Sequence, residues 1–184
     1  VKDKVWFTFK ARIQAHKRLE WLDFHSQTLL VWYAFLSTVL CVLTIRYPHI
    51  LGCDTDVMAT VLSVALLGVS LAVTNRDFRG RAMAMRSNYL QLQNLYNVLD
   101  AQNAAGNPAT PAQISQYADL LAECENHREV DDRIARVFAS DLSSRHPTGF
   151  EHKYAYYWLT LRLITTTALY ALPLIVGLIA WAIT

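Results

Sequence analysis

Along the chain, apolar residues gather into three uncharged stretches separated by segments in which charge is frequent. Residues 27–45 ("QTLLVWYAFLSTVLCVLTI"), 57–74 and 163–184 ("LITTTALYALPLIVGLIAWAIT") run for nineteen, eighteen and twenty-two residues without Asp, Glu, Lys or Arg. A helix rising ~1.5 Å per residue crosses a ~30 Å hydrocarbon core in about 20 residues, so each stretch is long enough to span a bilayer. Core helices of a soluble bundle seldom lack charge over such lengths three times in one chain of 184 residues. The pattern therefore predicts three transmembrane helices.

The segments between them carry a different period. Phe78, Ala82, Met85, Tyr89, Leu92, Tyr96 and Leu99 are spaced alternately four and three apart. That spacing predicts a helix running past Arg76 without a break, with a heptad seam along one face. Gly80 weakens it slightly. "AQNAAGNPAT" is turn material, after which Thr110 is an N-cap, Pro111 the first helical residue and Gln113 the partner in a capping box. A second arm follows over 111–142, with its own seam at Ile114, Tyr117, Leu121 and Cys124, resumed at Ile134 and Phe138. Its middle, "ECENHREVDD", turns polar, and "SSRHPTG" ends it. Residues 75–101 hold four Arg against Asp77 and Asp100, a balance of +2; residues 111–142 hold three Arg against seven acids, a balance of −4. An antiparallel hairpin turning near Gly106 places Arg81 and Arg86 beside residues 126–132. Phe78, Met85, Leu92 and Leu99 are expected to pack on the second arm. Part of the seam, with the second span, is expected to contact neighbouring subunits, and Tyr89 and the small-residue face around Gly68 are candidates for hairpin or oligomer packing with them.

Charge then orients the spans. A net charge of +2 does not point to a nucleic-acid binder. Of seventeen Lys and Arg, only Arg46 lies between the first two spans; the others fall before residue 27 or between 75 and 162. By the positive-inside rule those two regions are cytoplasmic. Arg76, Arg79 and Arg81 then sit where anionic headgroups hold a basic side chain, and Tyr154, Tyr156, Tyr157 and Trp158 form an aromatic belt before the third span, with Trp181 near its far end. The predicted architecture is an all-α membrane protein. A cytoplasmic amphipathic N-terminal helix (1–26) leads into a two-span hairpin (27–45 and 57–74) around an external loop (46–56). A long cytoplasmic helical hairpin (75–150) and an aromatic-flanked helix (151–184) with the third C-terminal span follow. Lys2, Lys4, Lys10, Arg12, Lys17 and Arg18 are scattered through the first helix with no apolar core, unlike a signal peptide.

Candidate chemistry is sparse. Cys41, Cys53 and Cys124 form no CxxC pair and give neither a disulfide framework nor a zinc site. Cys124 and His127 are three apart on the expected helix, a metal-ligand spacing that lacks two further ligands nearby. Asn126, His127, Asp131 and Asp132 form a candidate regulatory polar cluster. With Glu125 its acids have acid–base potential, although a solvated or ion-paired helix face is the commoner source of such a run. GxSxG, a Walker loop, a dinucleotide glycine motif, HExxH and a TVGYG filter are all missing from the sequence. No enzyme activity and no cofactor are expected. In the third span, Thr165, Thr166 and Pro173 are candidate pore-lining residues, since hydroxyls and a mid-span proline suit a water path as well as ordinary packing.

"KARIQAHKRL" before the first span, "FRGRAMAMRSNYLQLQNLY" after the second and "YADLLAECENHREVDD" beyond them, in this order around a two-span hairpin, resemble the SLATT family. These are bacterial membrane effectors associated with nucleotide-signal synthases and nucleotide-sensing SLOG domains. The resemblance covers nearly the whole chain; the third span departs from the minimal two-span pattern. It implies an anti-phage effector of the abortive-infection type in the inner membrane, where the charge pattern puts the N-terminus inside and the C-terminus outside. Such a protein oligomerises and forms a pore or disrupts the membrane when triggered, with a nucleotide second messenger or a signalling enzyme as partner. The rival reading is a non-conducting membrane scaffold or sensor whose hairpin recruits a partner protein.

Overall fold

The computed structural model describes residues 1–47, 55–139 and 146–183, without the side chains of 180, 181 and 183. Most of the expected external loop, with Cys53, the end of the second arm with the first three residues of "SSRHPTG", and the side chain of Trp181 lie outside the described residues. Within them are six helices and no strand: α1 (Lys2–Arg46), α2 (Thr55–Asn75), α3 (Phe78–Ala104), α4 (Pro111–Ala122), α5 (Glu129–Phe138) and α6 (Gly149–Ile183). Three of them, α1, α2 and α6, contain stretches long and apolar enough to cross a membrane. The protein is an all-α membrane protein. The N-terminal helix and the first span are one uninterrupted helix, as are the aromatic-flanked segment and the third span.

Two of the expected helices are broken instead. The chain leaves helical geometry at Asp77, whose φ is +42°, so α2 and α3 are separate. Asp is one of the few L-residues that tolerates the left-handed region, because its short polar side chain can bond locally. The end of α2 tightens as Arg76 N–H donates to Val73 O (3.1 Å) and Asp77 N–H to Thr74 O (3.3 Å). The second arm is likewise two helices, with residues 123–128 irregular between α4 and α5. Cys124 and His127 therefore share no helix face. At the other end of α4, Thr110, Pro111 and Gln113 form the capping box the sequence predicts.

The chain divides into two units. Unit 1 comprises Val1–Trp21 and Phe78–Thr160; unit 2 comprises Leu22–Asp77 and Leu161–Thr184. In unit 1 the buried positions of α1 are Val5, Trp6, Thr8, Phe9, Ala11, Arg12, Ala15 and Leu19, one stripe at helical spacing. Val5, Trp6 and Phe9 pack with Leu92, Leu95 and Leu99 of α3 and Leu120 of α4. Ala15 and Leu19 pack with Ala82 and Met85, flanked by Phe78 and Cys124. The second arm does reach the seam, through Leu120 with Tyr117 and Cys124 at its edge, and α1 adds what the sequence reading did not expect. The seam is filled chiefly by α1, and Leu120 is the one buried core residue that α4 adds. The twelve-residue α4 is too short to cover a twenty-seven-residue α3, whereas α1 offers apolar residues at matching spacing over its whole first part. The seam also shifts: Asn88, not Tyr89, is the buried residue between Met85 and Leu92.

Unit 2 gathers the later parts of α1 and α6 with α2. Its apolar side chains are largely exposed, Val31, Val61, Leu67 and Leu163 among them, as expected of helices whose solvent is lipid. A Cβ built on Gly68 meets nothing within 4 Å, so the small-residue face of α2 is open within the chain.

Candidate functional site

The centre of unit 1 is polar. Arg12 of α1 and Asn88 of α3 each stand in the middle of an apolar stripe, and each is buried, Arg12 completely. They meet: Arg12 Nη1 donates to Asn88 Oδ1 and to Leu120 O (3.0 Å), and Nη2 donates to Leu121 O (3.3 Å). Asn88 Nδ2 donates to Leu120 O (2.8 Å) and to Glu123 Oε2 (3.0 Å), and Gln91 Nε2 to Glu123 Oε1 (3.3 Å). Leu120 and Leu121 lie in the last turn of α4, where carbonyls lack intrahelical partners and the helix dipole presents its negative end. A guanidinium stays protonated and brings five N–H donors. The end of α4 and Asn88 thus provide acceptors for the two Nη groups of the buried cation, while its buried Nε has no hydrogen-bond partner, and no ion pair joins Arg12 to a carboxylate among the described residues. Buried polar pairs of this kind fix register between packed helices.

Around this centre the candidate cluster is ion-paired. Asp131, almost fully buried, accepts from Arg18 Nε (2.9 Å) and Nη2 (3.0 Å) and caps α5 through Arg128 N–H (2.9 Å). Asp132 pairs with Arg136, which also reaches Glu151 of α6. Arg81 holds Glu125 through Nε and Nη2 at 2.8–3.0 Å. The expected contact of Arg81 with Asp131 is thereby corrected, since Arg18 of α1 has taken Asp131. Asn126 is exposed. Reversing Arg81 to Glu should cost only ~0.2–1 kcal/mol, because the pair is substantially solvent-exposed, and Glu125→Arg should restore it. Unfolding midpoints of the two single variants and the double variant measure this; strict additivity would deny the pairing.

His127 is half-buried, and its Nδ1 has no hydrogen-bond partner. Burial lowers its pKa from the ordinary 6.5; Arg12 lowers it further, while Asp132 and Asp131 oppose the shift. The unfolded chain then binds more protons than the folded one as the pH falls below 6.5. Stability from this residue is complete above that pH and is lost toward the depressed folded pKa. His127→Gln should therefore flatten the acid side of the stability profile, as read by chemical denaturation at stepped pH. Cys124 shares the surroundings, and burial pushes its thiol pKa up.

The membrane anchor candidates divide. Arg76 and Arg79 are exposed, as are Tyr156 and Trp158, whereas Arg81 is occupied by Glu125. Phe78, Met85, Leu92 and Leu99 are packed inside unit 1, and Tyr89 lies against the His16 ring.

In unit 2, Thr165 and Thr166 spend their hydroxyls on their own helix. Thr165 donates to Leu161 O (2.8 Å) and Thr166 to Arg162 O (2.8 Å), and Thr166 is buried. Pro173 has the more telling surroundings. A proline inside a helix has no N–H for the carbonyl four residues earlier, here Leu169. Tyr33 of α1 donates its hydroxyl to that carbonyl at 2.9 Å, and Trp32 Nε1 donates to Tyr170 O at 3.1 Å. Tyr33 and Pro173 also line an apolar cavity of about 660 Å³ with Leu36, Leu40, Val61 and Ala65. Sequence reading missed Tyr33, Trp32, Arg12, Arg18 and Asn88 as a group. The signal was there only as polar residues standing at apolar-stripe positions.

No curated protein and no solved structure matches the chain. The family model for SMODS and SLOG-associating 2TM effector domain family 5 matches residues 1–183. Its span takes in both units and all six helices, and the three apolar helices agree with its membrane character. The chain belongs to the SLATT effector family.

Proposed function

We propose that this membrane effector acts in bacterial anti-phage defence by assembling in the inner membrane and opening a pore, or otherwise breaching the bilayer, when a signal reaches it. Membership of the effector family over residues 1–183 carries this reading. The exposed faces of the spans add a physical reason for assembly. Three spans cannot enclose a water path by themselves, and the open Gly68 face of α2 lets another helix approach closely. The heptad seam adds no such reason, since α1 already fills it. Assembly is therefore assigned to unit 2 faces, and the action is non-catalytic. The signal is a nucleotide second messenger or a signalling-enzyme partner acting on unit 1, with the N-terminus cytoplasmic and the C-terminus outside.

Induced expression with a membrane-potential dye tests the reading: depolarisation is expected, and Gly68→Leu should reduce both depolarisation and oligomer size in mild detergent. A toxic protein that leaves the potential intact would favour the non-conducting scaffold. Orientation is tested in parallel. Cys53 should react with an impermeant thiol reagent on intact cells, and Cys124 only after permeabilisation and partial unfolding, because its thiol is half-buried. Labelling of Cys124 first would reverse the topology.

A further inference from the structure

The spans of unit 2 border two apolar cavities that meet at one level. The larger, about 660 Å³, has Leu36 and Leu40 of α1, Val57 and Val61 of α2, and Leu172 and Gly177 of α6 on its walls. The smaller, about 310 Å³, lies between Leu29 of α1, Leu66 and Val73 of α2, and Leu169 of α6. Tyr33, Leu62 and Ala65 border both. No Asp, Glu, Lys or Arg lines either one among the described residues. The two hydroxyls at their walls are engaged, Tyr33 Oη donating to Leu169 O and Ser26 Oγ to Asp23 O. What fills the space is therefore apolar.

The depth of the cavities says which apolar group that is. Along α1 the larger one runs from Tyr33 to Leu43, and along α2 from Ala65 to Val57. At ~1.5 Å per residue these are rises of about 15 and 12 Å, close to half of a ~30 Å hydrocarbon core. Ala65 and Pro173 fall at the middle of the uncharged stretches 57–74 and 163–184. The larger cavity thus belongs to one leaflet, at the Arg46 end of α1, and the smaller to the other. Tyr33 stands at the boundary, and its bond to Leu169 O fixes the ring there. A spanning helix of a second copy needs a groove open through both leaflets, and this one is interrupted. A hydrocarbon chain hanging from one leaflet needs only that half. The walls agree: close helix approach favours small side chains, whereas Leu, Val and Met dominate here.

We propose that the larger cavity holds one acyl chain of a bilayer phospholipid as a bound ligand, walled by α1, α2 and α6. On a single helix face a chain gains contacts from one side. Here three helices touch it, and dispersion contacts accumulate with every wall. An apolar cavity holds no ordered water, so hydrocarbon is what the bilayer has to fill it. The volume lies within the ~300–1,000 Å³ range of ligand sites. Gly177 leaves part of the room: a Cβ built there meets nothing within 4 Å, so a larger side chain has space to enter. The claim stands apart from the effector reading, because it is tested without toxicity, conductance or a signal.

The full-length protein in a sterol-based detergent, which has no flexible chain to compete, is given a phosphatidylcholine carrying a photoreactive diazirine near one chain end. Ordinary phosphatidylcholine is added in rising amounts, and labelled peptides are mapped by mass spectrometry. Labelling at 36–43, 57–65 and 172–177 should saturate and be competed away. At Val31 and Leu67, which are exposed and line neither cavity, it should only follow the lipid concentration. Gly177→Phe should lower the saturable labelling by roughly tenfold or more, because the ring takes the chain's place. Ala65→Phe should do the same from α2, so the test survives if one variant fails to fold. Gly177→Ala and Leu67→Phe should leave labelling unchanged. Labelling that never saturates overturns the proposal, as does saturable labelling that both cavity-filling variants leave intact. A Gly177→Phe protein of smaller oligomer size, with no saturable labelling in the parent, overturns it in favour of a second copy as the occupant.

Discussion

Replacing Arg12 with leucine is expected to destabilise unit 1 by about 3–5 kcal/mol, a large share of the ~5–15 kcal/mol that holds a typical domain. The side chain is completely buried and supplies donors to Asn88 Oδ1, Leu120 O and Leu121 O. Asn88 Nδ2 still reaches Leu120 O after the change, so the stranded acceptors are Leu121 O and the Asn88 amide oxygen. The buried Asn88 oxygen costs about 1–3 kcal/mol when left unpaired, Leu121 O at its part-buried site costs less, and the shorter side chain leaves a void besides. Arg12→Lys should recover only part of the loss, because one ammonium cannot reproduce the planar fork that reaches three acceptors. The double variant Arg12→Leu/Asn88→Leu should be less destabilised than the two single changes added together, since it removes one stranded oxygen along with its former donor. Hydrogen exchange along α3 and α4 with the protein in detergent measures these differences. An Arg12→Leu protein with unchanged protection would show that the network does not hold the helices in register.

That network also marks where sequence legibility ends. The three spans are legible because a run of uncharged residues is a one-dimensional signal and lipid is indifferent to what each span packs on. The α4 start is legible because Thr110, Pro111 and Gln113 act within four residues of one another. The partner of the α3 seam is a different kind of question. Apolar period says which face is buried and not against what, so the second arm looks as suitable for Leu92 as α1 does. Asn88 is skipped by a reading that expects apolar residues in the seam, although the spacing from Met85 to Asn88 to Leu92 is as helical as the one through Tyr89. Its justification lies seventy-six residues away, in Arg12. Asp131 shows the same limit. Charge complementarity between the arms points to an arginine of α3, and Arg81 does find the neighbouring Glu125, yet Asp131 goes to Arg18 of α1. The two helix breaks left local traces in "NRD" at 75–77 and in the polar run "ECENHR" at 123–128, and a heptad register drawn across them hid both.

In the spans the corresponding pair is Tyr33 and Pro173, and it yields the second large expected effect. Pro173 leaves Leu169 O without its helical donor, in a region with no water to replace it. Tyr33 fills the gap from another helix, 2.9 Å away. Tyr33→Phe keeps the ring but removes the hydroxyl, and should destabilise the packing of α1 against α6 by about 1–2 kcal/mol, in line with interhelical hydrogen bonds in membranes. Pro173→Ala restores an N–H that can bond Leu169 O within α6, so the tyrosine bond becomes dispensable. The double variant Tyr33→Phe/Pro173→Ala should therefore be close to Pro173→Ala alone. A double-mutant cycle on unfolding in detergent isolates the coupling. Trp32 donates to the next carbonyl, Tyr170 O, and provides a control: Trp32→Phe should cost stability with or without Pro173, because Leu174 N–H remains available to Tyr170 O in either background. If Tyr33→Phe costs the same in the proline and alanine backgrounds, the hydroxyl is not standing in for the missing amide. In that event the proline is only a helix feature, and the Tyr33 hydroxyl joins α1 to α6 as an ordinary interhelical hydrogen bond, alongside that of Trp32.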